Sequence, residues 1–230
     1  MKKVISFALF GKDPMYLQGM IENAKLCKKY YPDWLCRCYV SKDIDTSFTL
    51  QLIDLDVEIK WHLGTLDFKA QWVRMEIALD PSVDIFIIRD CDSRINKREA
   101  EAVEEFVNSD KMFHIMRDHK KHTSPIMGGM WGAKKGFLDI EEFRGLYREA
   151  VLFVRSGKSK NKKYYKKNGK SDQGFLGNDI WPLVKSPTIH MAHGTKKKYT
   201  GEEKAFSHKL RYNRFVGQQV TAEGKYINVN

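Results

Sequence analysis

Asp84-Ile85-Phe86-Ile87-Ile88-Arg89-Asp90-Cys91-Asp92-Ser93-Arg94 carries an apolar run straight into Asp-x-Asp. Between residues 83 and 88 only Asp84 interrupts the apolar residues. A short continuous apolar run ended by polar residues reads as a strand buried on both faces, as in the middle of a parallel sheet. Ligands of open α/β sheets bind beyond the carboxyl ends of the strands. Two carboxylates one residue apart at that place gather negative charge that a hard divalent cation offsets. Mg²⁺ or Mn²⁺ held by one or two carboxylates takes its other ligands from substrate phosphates and water, which describes a nucleotide-diphosphate site. Asp90 or Asp92 could instead cap the helix that follows, but at the end of so apolar a strand the metal reading is favoured.

Outward from this strand, the same two patterns alternate. Residues 4–10 (VISFALF) read as another buried strand, and residues 15–31 as a helix, with Leu17, Met20, Ile21, Ala24 and Cys27 spaced by three and four. Pro32-Asp33 ends that helix. Strands are expected at 34–40, 57–61, 83–88 and 112–116, with a short one at 188–191. Helices are expected at 50–55, 67–79, 97–107, 143–154 and 172–181. Strands alternating with helices over the first half imply a mostly parallel central sheet with helices on both faces. The C-terminal third reads as more irregular. No internal repeat is visible, so the expectation is one α/β domain.

Composition sets the outer bounds. The chain has 230 residues, 42% hydrophobic and 30% charged, with a net charge of +11. This excludes disordered, collagen-like and coiled-coil classes. A chain this long buries about 70% of its unfolded surface and needs no disulfide staples. No apolar stretch approaches the roughly 18–20 residues of a membrane span, so no transmembrane segment is expected. Met1-Lys2-Lys3 before residues 4–10 imitates a secretion signal, but the apolar run is short and ends in Gly11-Lys12-Asp13-Pro14. Cys27, Cys36, Cys38 and Cys91 show neither CxxC nor zinc spacing. They are expected to be reduced thiols in a cytoplasmic protein, with Cys36 and Cys38 on one face of a strand.

The positive charge is concentrated. Residues 155–170 (RSGKSKNKKYYKKNGK) hold eight basic residues and no acid. Such a run reads as a solvated loop, as a clamp over a polyanionic ligand, or as a nucleic-acid or membrane contact. Tyr164 and Tyr165 could stack on bases. However, no helix-turn-helix, RNP-like or zinc-finger pattern accompanies them, which argues against nucleic acid as the partner.

An Asp-x-Asp at a strand end has two main readings. In haloacid-dehalogenase-type phosphatases it sits on the first strand, whereas here it follows about the fourth. The second reading is a glycosyltransferase of GT-A type, and the position favours it. The sequence resembles the GT-A glycosyltransferases, in particular the small ones of chlorella viruses and other large DNA viruses. The resemblance covers most of the chain. It rests on Phe7-Ala8-Leu9-Phe10-Gly11, Arg74, the segment from Arg89 to Arg94, Arg98-Glu99 with Ala102-Val103, and His114-Ile115-Met116-Arg117-Asp118-His119. Gly128-Gly129-Met130-Trp131-Gly132, Asp172-Gln173-Gly174-Phe175-Leu176 and Phe215-Val216-Gly217 complete it.

The resemblance implies a single GT-A domain, 1–95 being a nucleotide-binding half and 96–230 an acceptor half that carries the basic loop. It implies a metal-dependent transfer of a sugar from a nucleotide-diphosphate donor, a UDP-sugar foremost, to a hydroxyl of a glycan or glycoprotein, in a host cytoplasm if the chain is viral. Asp90 and Asp92 would hold Mn²⁺ or Mg²⁺ on the diphosphate, and His190 or His193 would add a third ligand. Donor contacts would come from Ala8, Phe10, Gly11, Arg74 and Cys91, with Gly128 and Gly129 letting backbone approach the sugar. Asp172 would take the acceptor's proton if configuration inverts, and the basic loop could close as a lid. As a helix opener Asp172 could also be a cap. The rival reading is a basic nucleic-acid-binding or phosphoryl-hydrolysing protein using the same Asp-x-Asp. His119 and His122 have ligand-like spacing but read as loop or substrate contacts. Trp131 reads as sugar platform or core, and Trp72 and Met75 as core.

Overall fold

The computed structural model describes residues 1–62, 68–156, 172–192, 200–209, 212 and 214–228. Its centre is an eight-stranded sheet made of β1 (Lys3–Leu9), β2 (Leu35–Ser41), β3 (Glu58–His62), β4 (Ile85–Ile88), β5 (Phe113–Arg117), β6 (Trp131–Lys134), β7 (Thr188–Met191) and β8 (Glu202–Ala205). The order across it is β3-β2-β1-β4-β6-β5-β7-β8. All neighbours are parallel except that β6 runs antiparallel to both β4 and β5. The apolar strands read as central are central: β1 lies between β2 and β4, with Ile5 opposite both Cys36 and Ile87.

The sheet is sandwiched. One face is covered by α1 (Pro14–Tyr30), α2 (Thr46–Asp54) and α3 (Lys97–Val107) through Met20, Ala24, Leu52 and Val103. On the other face lie the helical segment Phe68–Leu79, α4 (Ile140–Ser156) and the one-turn α5 (Asp172–Phe175), through Trp72, Met75, Phe143 and Phe175. Local chemistry sets the helix starts. Asp13 caps α1 by accepting from Met15 N at 2.9 Å, with Pro14 at the first position. Asn96 caps α3, and Asp139 accepts from Glu141 N and Glu142 N at 3.0 Å.

Several boundaries differ from the periodicity. Residues 68–79 form a 3-10 helix, whose three residues per turn align Trp72, Met75 and Ala78 on the core side. The helix expected at 172–181 is α5, then a π-turn at Leu176–Ile180, then a 3-10 turn ending at Pro182-Leu183. The strands β6 and β8 have too few alternating residues to be read from the sequence. All four cysteines are free and buried, and Trp131 is core, packed on Phe86 and Phe113. No helix among the described residues is long and apolar enough to cross a membrane.

Candidate functional site

The chain leaves β1 toward β2 and β3, then returns to place β4 on the other flank of β1. The carboxyl ends of β1 and β4 therefore meet where the connections diverge, the place where open α/β sheets form a ligand crevice. A cleft of about 300 Å³ lies there. Ala8 and Phe10 reach it from β1, and Asp90, Cys91 and Asp92 from β4. Gly11, at φ +71°, turns the chain away just beyond. Gly128 and Asp172 also line it, so two remote segments named from the sequence arrive at the same place.

Arg74 is the hub of this site. It is 4% exposed, and its Nη1 donates to Asp90 Oδ1 and to the Arg89 carbonyl (3.1 Å). Its Nη2 donates to Asp172 Oδ2 at 2.9 Å. Ser6 on β1 donates to the Arg74 carbonyl at 2.7 Å, pinning the 3-10 helix to the sheet. Burial works against the Arg74 charge, but the Asp90 and Asp172 carboxylates outweigh it and hold the guanidinium firmly protonated. The other oxygen of Asp172 accepts from Gln71 Nε2 (3.2 Å) and from Gln173 N (2.8 Å). Burial, then the charge of Asp90, raises the proton affinity of Asp172 against the pull of Arg74. Gln71 and Arg74 are three apart, one above the other on a 3-10 helix, so both reach the same carboxylate.

The Asp-x-Asp loop is held from behind. Arg89, buried, pairs with Glu99 of α3 at 2.8 Å. The fully buried Asn23 of α1 donates to Ser93 O (2.9 Å), Cys91 O (3.4 Å) and Asp90 O (3.5 Å), and accepts from Ile95 N (3.0 Å). The Cys91 side chain turns into the core, its thiol 3.3 Å from Ala8 O, while Asp90 and Asp92 line the cleft. A Cβ on Gly19 would stand 2.0 Å from Cys91 O, so α1 can seat against the loop only with glycine there. Burial, then the charge of Asp90, pushes the Asp92 carboxyl up to about 6, and Gln219 Nε2 donates to its Oδ2 at 2.7 Å.

Gly128 and Gly129 have a clear physical reason in this structure. A Cβ on Gly128 would lie 2.5 Å from Asp172 Oδ2, and one on Gly129 1.9 Å from Asp90 Oδ2. The glycine pair makes room for the two carboxylates that flank Arg74.

Other expectations fall elsewhere. His190 is fully buried on β7, its Nδ1 2.8 Å from His114 Nε2 and its Nε2 3.3 Å from Glu105 Oε2. Its ring faces α3 and does not line the cleft, so it is not brought to Asp90 and Asp92. His193 and residues 157–170 of the basic run lie outside the described residues. Among the described residues no group of three His, Cys, Asp or Glu side chains is placed to hold a metal ion. His122 accepts from Asp118 N at 3.0 Å, which makes it a loop fastener, and burial pushes it down to about 4. Gln173, part of the motif that opens at Asp172, lines the cleft too, as do Tyr16, Gln71 and Gln219, of which the sequence offered no local sign.

This architecture matches solved structures. The galactosyltransferase LgtC, in complex with donor and acceptor sugar analogues, aligns with 82% of this chain and 73% of its own, at 11% identity and TM-score 0.53. The fold is GT-A. A mannosyltransferase from Pyrobaculum calidifontis, in complex with GDP-Man and Mn²⁺, aligns with 86% of this chain and 58% of its own, at 12% identity and TM-score 0.50. A glycosyltransferase involved in the glycosylation of the major capsid of PBCV-1 aligns with 84% of this chain and 81% of its own, at 12% identity and TM-score 0.48. The sequence matches no family model and no curated protein. In this GT-A domain the switch-point cleft holds the Asp-x-Asp.

Proposed function

We propose that this chain is a metal-dependent glycosyltransferase that moves a sugar from a nucleotide-diphosphate donor, a UDP-sugar foremost, to a hydroxyl of a glycan or glycoprotein. The observation that carries this reading is the cleft at the β1–β4 switch point, where Asp90 and Asp92 stand beside the Arg74–Asp172 pair. Residues 1–95 supply the nucleotide half in this reading and 96–230 the acceptor half.

Mn²⁺ or Mg²⁺ fits the donor set. Asp90 is 40% exposed at its side chain, and its Oδ2 is the oxygen not bonded to Arg74. Asp92 beside it accepts from the neutral amide of Gln219, and Arg74 is already paired with Asp90 and Asp172, so the two carboxylates crowd negative charge in one place. Hard carboxylate oxygens suit these ions. Asp90 and Asp92 would hold the cation, whose chemistry is to absorb charge on the departing diphosphate.

The chain's own groups account for the rest. Ala8 and Phe10 shape the pocket wall for the base, and Gly11 turns the chain just beyond it. Arg74 keeps Asp90 oriented and places positive charge at the cleft. Asp172, with its proton affinity raised by burial, is the candidate acceptor of the hydroxyl proton. It would have to exchange one of its present partners for that hydroxyl.

The test is release of UDP or GDP from a panel of nucleotide sugars with Mn²⁺ present. Asp172→Asn should lower turnover by about 10² or more while leaving nucleotide affinity within a few-fold of wild type. Unchanged turnover in that variant contradicts the role of Asp172. Phosphate release from an aryl phosphate, with no donor cleaved, would favour the phosphoryl-hydrolysing alternative.

A further inference from the structure

His190 is engaged by His114 and Glu105, and His193 lies outside the described residues, so neither is placed at the two aspartates. One side chain does meet them from a different part of the chain. Gln219 lines the cleft with Asp90 and Asp92, and its amide reaches Asp92 Oδ2. We propose that Gln219 is a protein ligand of the divalent cation beside Asp90 and Asp92, through Oε1 of its side-chain amide. This deepens the reading of the cleft as a cation site and rests on it.

Three observations support the assignment. The first is placement: the Gln219 amide lies 2.7 Å from one of the two carboxylates that would bind the cation. The second is that its position does not depend on that contact. Val220 N donates to the Asp92 carbonyl (2.7 Å), Ile227 N to the Gln219 carbonyl (2.9 Å) and Gln218 Nε2 to the Ile227 carbonyl (3.0 Å). Upstream, Val216 N donates to Asp118 Oδ2 (2.9 Å), and Asp118 is clamped by both nitrogens of a two-pronged Arg98 contact (2.9 and 2.6 Å). The segment is thus tied to the Asp-x-Asp loop by one main-chain bond and braced by the others. The third is chemistry. Without a cation the NH₂ end faces the carboxylate, because it is the end that donates. A half-turn of the terminal torsion brings the carbonyl oxygen to the same place, and an amide oxygen is a hard neutral ligand suited to Mn²⁺ or Mg²⁺. The cation would then replace the hydrogen bond between Gln219 and Asp92, with both groups bound to it.

Mn²⁺ alone, without nucleotide or donor, is titrated into wild type, Gln219→Ala and Gln219→Glu, by calorimetry and by loss of the free Mn²⁺ paramagnetic signal. The melting temperature of each metal-free protein is recorded alongside. Expected is a loss of Mn²⁺ affinity of about 10-fold or more in Gln219→Ala. Gln219→Glu should restore or exceed wild-type affinity, and metal-free melting should stay within about 2 °C of wild type. Equal Mn²⁺ affinity in wild type and Gln219→Ala overturns the role of Gln219 and leaves the cleft reading intact. A loss in Gln219→Ala that Gln219→Glu does not rescue also overturns it, because it marks a displaced segment and not a lost ligand. Failure of the wild type to bind Mn²⁺ overturns both.

Discussion

Asn23 spends both ends of its amide on the segment that presents the two aspartates, from a helix about 70 residues away in sequence. Deleting it leaves the buried Ile95 N–H without this partner, a cost of about 1–3 kcal/mol, whereas the Asp90, Cys91 and Ser93 carbonyls keep their bonds from Ser93 Oγ and Arg94 Nη1. Asn23→Ala should therefore lower the melting temperature and also weaken Mn²⁺-dependent nucleotide binding, because the loop it holds carries the proposed ligands. Calorimetry and thermal melting check this together; lower stability with unchanged binding would make Asn23 a packing residue only. The residue scale also shows what the sequence made visible. Asp90 and Asp92 stood out because an apolar run ending in paired acids is a local signal. Arg74, Gly128, Gly129 and Asp172 came from the resemblance, and the structure gathers them at one place. Asn23, Gln71 and Gln219 were not legible, since their roles come from partners about 70 to 130 positions away, and no local pattern encodes such pairings.

Among the elements, β1 and β4 were readable because buried parallel strands are apolar throughout. The strand β6, Trp131–Lys134, was not: four residues with a glycine among them give no period. The segment 68–79 read as a helix with Trp72 and Met75 in the core, and both are there, but the pitch is that of a 3-10 helix, because a spacing of three fits both helix types. One ion-pair cluster joins three elements. Arg37 of β2, 1% exposed, donates to Glu58 of β3 (2.6 Å) and to Asp80 just past the 3-10 helix (2.8 Å). Burial opposes the Asp80 charge, but Ser82 and Arg37 outweigh it and hold the carboxyl at about 2, against an ordinary 3.8. A depressed carboxyl contributes stability that is complete above the unfolded value and lost as pH falls through the folded one. The cluster should thus lose about 2 kcal/mol between pH ~4 and ~2. Denaturant unfolding against pH should show that fall, reduced in Asp80→Asn; an undiminished fall in the variant would place the acid sensitivity elsewhere.

At the scale of the whole molecule the sheet separates two apolar layers, one containing Leu52 and the other Phe143. Because both layers pack on the same strands, the chain should unfold as one unit. Leu52→Ala and Phe143→Ala should each cost about 2–5 kcal/mol and shift a single calorimetric transition. A transition that splits in either variant would mean two independent units. The layered, mostly parallel plan followed from the alternation of strands and helices, whereas the reversal at β6 and the path of the C-terminal segment across the cleft depend on tertiary packing.

Whether Asp90 and Asp92 bind a nucleotide through a metal is decided by calorimetric titration of UDP, with GDP as comparison, into wild type and Asp92→Ala, first with Mn²⁺ and then with EDTA. Binding of one nucleotide should need Mn²⁺, disappear in EDTA and be lost in a folded Asp92→Ala. Nucleotide binding that is the same with Mn²⁺ and with EDTA, or that survives Asp92→Ala, would contradict that role of the two aspartates.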